Sequence, residues 1–119
     1  MEKQTKTVRT SQQISDAYGA LNMPVYNSAA YGFPSAKAMA DAFMGRTDSL
    51  TYSRVSNPTV AYFEERVAQL SGAKHVFAFN SGMAAISCTL LALTASGKNI
   101  VTSAHLFGNT VSLLTNTLG

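Results

Sequence analysis

The segment Phe77-Ala78-Phe79-Asn80-Ser81-Gly82-Met83-Ala84-Ala85-Ile86 limits the possible folds more than any other part of the chain. The run His75 to Phe79 is mostly apolar and partly aromatic, which suits a short buried strand. Asn80 and Ser81 are cap-type residues, and Gly82 lets a backbone or a ligand come close. From Met83 to Ala95 nearly every residue is apolar or small, so a helix there is expected to be covered on most sides. A strand that feeds such a helix leaves the first N–H groups of the helix unpaired, at the positive end of its dipole. Phosphate or carboxylate fits there. Any buried strand–turn–helix also needs a cap, so on these residues alone a plain cap and an anion site are both open.

The other segments fall in order around it. Residues 1 to 18 are polar and aperiodic, and read as a mobile arm or one ordered only against a partner. Leu21 to Tyr26 and Ser28 to Phe33 mix aromatics with Gly and Pro, so an extended segment lying against another surface is expected. Ser35 caps a short helix with Ala36, Met39, Ala40, Phe43 and Met44 on one face, and Gly45 ends it. After a loop over Arg46 to Ser56, Asn57 is a good N-cap and Pro58 a good first helical residue. Val60, Phe63, Val67 and Leu70 mark the inner face of that second helix, Glu64, Glu65 and Arg66 turn away, and Gly72 closes it. The apolar helix near 83–95 is closed by Gly97, and Asn99 to Ser103 reads as a second strand. Phe107-Gly108-Asn109 is a turn, and Thr110 to Leu118 a last helix with Val111, Leu114 and Leu118 inward.

Strand–helix–strand–helix order predicts an α/β unit with parallel strands. Parallel sheets need cover on both faces, and two strands do not supply it, so the sequence is expected to stop partway through a domain. Composition agrees. Charged residues make up 13% of the 119, about half the ordinary share. Faces so poor in charge are expected to meet other protein. The net charge of +3 gathers partly at Lys3, Lys6 and Arg9, and no basic patch interleaved with aromatics suggests nucleic acid. A single cysteine, Cys88, excludes an internal disulfide framework and fits the cytoplasm. Its place in the apolar helix predicts a packing role. No secretory signal is expected from the polar N-terminus, and Met83 to Ala95 is shorter than the ~20 residues of a membrane span. His75 and His105 lack the spacing of a metal site.

A second stretch is more specific. Leu50-Thr51-Tyr52-Ser53-Arg54-Val55-Ser56-Asn57-Pro58-Thr59, followed by Asn80-Ser81-Gly82-Met83-Ala84-Ala85, resembles the pyridoxal-phosphate (PLP) enzymes of cysteine and methionine metabolism. That family includes cystathionine γ-synthase, cystathionine and methionine γ-lyases and O-acetylhomoserine sulfhydrylase. The resemblance runs from about Pro24 to the end of the chain and covers only the beginning of a family member. It implies the start of the large domain of a fold-type I PLP-dependent transferase over residues 57–119. Residues 1–56 would be an extended N-terminal arm and loop contacting the neighbouring subunit of a homotetramer, a dimer of dimers.

The resemblance also assigns roles. The PLP phosphate would meet the N–H groups of Gly82 and Met83, with Ser81 as a possible hydroxyl donor beside its cap role. Tyr52 and Arg54 would add a hydroxyl and a planar charged fork from the neighbouring subunit. Where the family has a Leu-Tyr-Gly-Gly-Thr type string, this chain has Leu106-Phe107-Gly108-Asn109-Thr110. Phe107 can stack on the cofactor ring but has no hydroxyl for proton transfer. Lys37, Lys74 and Lys98 do not match the family's Schiff-base lysine, nor Asp41 and Asp48 its ring-nitrogen aspartate, so no catalytic residue is expected in this segment. Both would lie beyond Gly119, and the piece alone would be inactive. Within the family, Asn27 to Phe33 and the Tyr-Ser-Arg string look closest to the sulfhydrylase branch. This implies γ-replacement on O-acetylhomoserine by sulfide or a thiol. A γ-lyase, a cystathionine γ-synthase, and a non-catalytic fragment held by a partner chain are the alternatives.

Overall fold

The structure is a computed structural model that describes residues 18–20 and 22–119. Of the polar arm expected over residues 1–18, residues 1–17 lie outside the described residues, as does Leu21. The chain divides between Phe77 and Ala78 into two compact units.

In the first unit, helix α1 spans Ala36–Phe43. Extended backbone at Ser35 turns its Oγ to accept the Ala38 N–H at 3.1 Å, which starts the helix. Helix α2 spans Pro58–Ser71, begun by Asn57, whose Oδ1 accepts the Thr59 N–H at 2.9 Å. Gly72 ends it in the left-handed region, at φ 73°, where its N–H reaches the Ala68 carbonyl at 2.8 Å. Both helices thus start and stop where their cap residues place them.

The faces differ from expectation. Ala42, 7% exposed, is the buried apolar residue of α1, whereas Met39, Phe43 and Met44 are largely exposed. The Phe33 ring lies 6.4 Å from that of Phe43, tilted by 49°, and does not cover it. In α2, Phe63 and Val60 are exposed, and Glu64, Glu65 and Arg66 are half-buried. Long polar side chains can lie along a helix and shield it. Arg66 does so, with its guanidinium 5.4 Å above the Tyr62 ring and Nη1 2.9 Å from the Tyr62 hydroxyl, and Gln69 donates to Glu65 at 3.0 Å. Periodicity identifies which residues want burial, but the cover itself must come from elsewhere.

Asp41 is held between Lys37 Nζ at 2.6 Å and Arg46 Nη1 at 3.0 Å. These two cations, Lys37 foremost, hold its carboxyl below the ordinary value of 3.8. A lowered carboxyl strengthens the folded state above its unfolded pKa and loses that contribution as pH falls through the folded value. The Lys37–Asp41–Arg46 cluster is therefore expected to open only below about pH 4, with Asp41 titrating below free aspartate. A carboxyl-carbon NMR titration checks this. Lys37→Gln should move the midpoint up, towards the ordinary value.

In the second unit, helix α3 spans Gly82–Leu93. Helix α4, Gly108–Ser112, runs into one π turn, Leu113–Thr117, in which Leu118 N–H reaches the Leu113 carbonyl at 3.0 Å. α4 therefore begins two residues before the expected Thr110 start. α3 stops at Leu93 because Thr94 turns extended and its hydroxyl takes the Leu90 carbonyl at 2.7 Å, short of the expected end at Ala95. Leu91 and Leu93 are exposed, as is Cys88, so the helix is not covered on most sides and Cys88 is not a packing residue here. No helix among the described residues is long and apolar enough to cross a membrane.

The expected strands at His75–Phe79 and Asn99–Ser103 do not form among the described residues, so the α/β expectation is met here in its helices only. A strand exists through its ladder partners, whereas an apolar run records only a preference for burial. The isolated backbone pairing among the described residues is antiparallel, between Ala30 and Tyr52. It joins the arm to the loop that carries Tyr52 and Arg54.

Candidate functional site

In the first unit the loop after Thr51 folds back on itself: Val55 and Ser56 both donate to the Tyr52 carbonyl, at 2.9 and 3.0 Å. That turn brings Tyr52 and Arg54 together. The Arg54 guanidinium lies 5.1 Å from the centroid of the Tyr52 ring, and both residues are exposed. A cation–π contact uses none of the five N–H donors of the guanidinium, which leaves the fork free for a planar or tetrahedral oxyanion. The pair borders a recess of about 520 Å³ lined by Ala30, Ala42, Phe43, Gly45, Thr51, Tyr52, Arg54 and Val55. Its walls are mostly apolar, so the guanidinium and the phenol hydroxyl are its main polar features.

The second unit holds the other candidates. Ser81 is extended, its Oγ accepts the Ala84 N–H at 3.1 Å, and its carbonyl takes the Ala85 N–H at 3.1 Å. The cap role expected for Ser81 is therefore present. The N–H groups of Gly82 and Met83 come before the first intrahelical bonds of α3, at the positive end of its dipole. A Cβ built on Gly82 would meet nothing within 4 Å, so the space above this helix start is open. A phosphate is the kind of group such a start receives, and a side chain at Gly82 would stand in that space.

Phe107 precedes α4, in extended backbone with an exposed ring. Its helix is tied to α3 by Thr110, whose hydroxyl points at the Met83 sulfur at 3.7 Å. Thr110 is the buried polar residue of the described chain, 9% exposed. Ser81, Gly82, Met83 and Phe107 thus sit at the starts of two helices joined at their N-terminal ends. Sequence reasoning missed Thr110, which reads there as one more surface threonine at a helix start. It also missed the bonds of Ser53, Asn57 and Thr59 to the arm. The one available signal was a string rich in small hydroxyl and amide residues next to an aromatic segment. Among the described residues no group of His, Cys, Asp and Glu could hold a metal.

The chain is similar to several known proteins. The chain is 38% identical over 115 residues to the O-acetyl-L-homoserine sulfhydrylase of Corynebacterium glutamicum, covering 97% of this chain and 26% of that protein. It is 35% identical over 115 residues to the L-methionine gamma-lyase of Pseudomonas deceptionensis, covering 97% of this chain and 29% of the relative. With the O-succinylhomoserine sulfhydrylase of Pseudomonas aeruginosa it shares 38% identity over 109 residues, 92% of this chain and 27% of the relative. The chain thus spans little more than a quarter of the length of these relatives.

Among solved structures, it resembles a Campylobacter jejuni protein assigned as O-acetylhomoserine (thiol)-lyase, which carries N'-pyridoxyl-lysine-5'-monophosphate. The TM-score is 0.86 at 30% identity, over 99% of this chain and 29% of that one. The metB protein of Corynebacterium glutamicum gives a TM-score of 0.84 at 29% identity, over 99% of this chain and 29% of that one. The sequence model of the Cys/Met metabolism PLP-dependent enzymes matches residues 4–119, all but the first three. The chain belongs to that family of PLP-dependent enzymes.

Proposed function

We propose that the complete protein containing this chain replaces the γ-substituent of O-acetylhomoserine with sulfide or a thiol, giving homocysteine or methionine. The observation that carries this reading is the 38% identity to an O-acetyl-L-homoserine sulfhydrylase across nearly the whole chain. When bound, PLP supplies the electron sink for such chemistry. This chain's contribution is to hold and orient the cofactor. Arg54 and Tyr52 meet its phosphate from the neighbouring subunit of a homotetramer. The N–H groups of Gly82 and Met83, with Ser81, meet it from the helix start. Phe107 stacks on its ring. Many exposed apolar side chains, among them Phe43, Phe63, Phe77 and Leu93, support the view that further protein covers these faces.

Phe107 bears on the substrate. A phenylalanine cannot donate a proton to a departing group, so a group that leaves readily as an anion suits this site. Acetate is such a group, and a thiolate is a poorer one, which favours O-acetylhomoserine over cystathionine. Phe107→Leu in the complete protein should weaken PLP binding about two- to ten-fold, since an aromatic partner adds roughly 0.5–1.5 kcal/mol beyond area. Phe107→Tyr should leave binding unchanged. A titration of the apoprotein with PLP measures both.

Identity to L-methionine gamma-lyases favours a second reading, elimination that releases a thiol, ammonia and a keto acid. Steady-state activity of the complete protein separates them. Sulfide-dependent homocysteine formation from O-acetylhomoserine is expected. Faster turnover of methionine or cystathionine would overturn the assignment.

A further inference from the structure

Besides Ser56, the Tyr52–Thr59 string contains three polar residues that the phosphate reading leaves without a task, Ser53, Asn57 and Thr59. All three bind the arm. Ser53 N–H donates to the Ala29 carbonyl at 2.9 Å, and Ser53 Oγ donates to the Ser28 carbonyl. That spends its one hydroxyl proton, so its lone pairs accept from Tyr31 Oη at 3.2 Å and from Asn57 Nδ2 at 3.0 Å. Asn57 Nδ2 also donates to the Tyr26 carbonyl at 3.0 Å, and Thr59 Oγ1 accepts the Tyr26 N–H at 2.9 Å. Ser53 is thus saturated, with one bond donated and two accepted. Asn57 uses both amide protons on the clamp and its oxygen on the α2 cap.

Ser53 stands between Tyr52 and Arg54, and its inward bonds fix the segment whose outer side chains are those two. We propose that Ser53 and Asn57 are positioning residues, which clamp the Tyr26–Tyr31 arm to the loop so that the stacked Tyr52–Arg54 pair is held ready for the PLP phosphate. The proposal rests on the phosphate role given above to Tyr52 and Arg54. A bound ligand then meets a guanidinium already in place and does not have to order it, which raises affinity without adding a contact.

The two jobs of Asn57 can be separated by one change. Asn57→Asp keeps the oxygen that caps α2, in a residue equally good at that position and favoured by the helix dipole. It removes both N–H donors and sets a carboxylate against the Tyr26 carbonyl and Ser53 Oγ. Asn57→Ala removes the cap together with both Asn57 bonds of the clamp, and Ser53→Ala removes the Ser53 Oγ bonds of the clamp while leaving the cap.

The test uses the full-length protein in its native oligomer, with three readouts: amide hydrogen exchange, thermal unfolding, and PLP affinity of the apoprotein. In Asn57→Asp we expect the amides of Tyr26 and Ser53 to exchange at least about ten-fold faster, while α2 keeps its protection. PLP affinity should fall about five- to fifty-fold, the equivalent of two ordinary hydrogen bonds. Ser53→Ala should also speed exchange of the Ser53-position amide and lower PLP affinity, and only Asn57→Ala should also lower the protection of α2. Unchanged arm exchange in Asn57→Asp would overturn the clamp. Arg54→Ala in the same series separates this proposal from the reading beneath it. Lost affinity in Arg54→Ala with none in Asn57→Asp would overturn the positioning role and leave the phosphate role standing. Unchanged affinity in Arg54→Ala would overturn the phosphate role and the positioning role with it.

Discussion

Arg54→Ala in the full-length protein is expected to weaken PLP binding about ten-fold to a hundred-fold while leaving the fold intact. A hydrogen bond to a charged group contributes roughly 1.5–3 kcal/mol, which converts to that range. The fold should not suffer, because Arg54 is exposed and its recorded contact is the ring of its neighbour Tyr52. Arg54→Lys should recover part of the loss. An ammonium keeps the charge but presents neither the planar fork nor the flat face that rests on Tyr52. Tyr52→Phe keeps the ring beneath the guanidinium and removes only a hydroxyl, so its effect should be smaller than that of Arg54→Ala. Titration of the apoproteins with PLP, followed by absorbance, gives all three values. Unchanged affinity in Arg54→Ala would remove Arg54 from the site.

Gly82→Val is the second large effect, and it separates binding from folding. A Cβ at Gly82 meets no atom of this chain within 4 Å, so the first carbon of a side chain has room here. Glycine is also a poorer helix former than most residues, so thermal stability should hold or rise slightly. On the proposed reading the phosphate comes up to the N–H groups of Gly82 and Met83 at hydrogen-bond distance, and the new methyl groups would occupy that approach. Overlap of this size costs about 1–3 kcal/mol where the neighbours cannot yield, so affinity should fall about ten-fold to a hundred-fold. Gly82→Ala should fall between the two. A valine variant that binds PLP as tightly as the parent would place the phosphate elsewhere, whatever its stability.

The starts of α1, α2 and α3 and the end of α2 are legible in the sequence because their caps are local. Ser35, Asn57 and Ser81 each bond an N–H two or three residues ahead, and Gly72 needs only its own left-handed backbone. None of this depends on distant partners. The faces and strands are different. Phe63 and Val60 on α2 and Leu91 and Leu93 on α3 have apolar spacing yet lie exposed, because cover is a property of neighbours that a pattern cannot name. His75–Phe79 and Asn99–Ser103 carry strand-like composition without a ladder for the same reason. Resemblance picked out Tyr52, Arg54, Ser81, Gly82, Met83 and Phe107 as the candidate site. It did not reach the hydroxyl of Thr110 on the Met83 sulfur or the bonds of Ser53, Asn57 and Thr59 to the arm. Those contacts join residues from 22 to 33 positions apart, and neither partner alone signals the other.

On the proposed reading, Tyr52 and Arg54 of the neighbouring subunit and the α3 helix start hold the cofactor phosphate as a dianion. The ³¹P NMR shift of PLP bound to the full-length protein tests it, because a phosphate monoester loses its second proton near pH 6 in water. A dianion fixed by Arg54, Tyr52 and the α3 helix start should give one narrow signal whose shift stays constant from about pH 6 to 9. In Arg54→Ala it should begin to titrate. A parent-protein signal that follows pH as free PLP does would mean that these groups do not hold the phosphate, and would contradict the account.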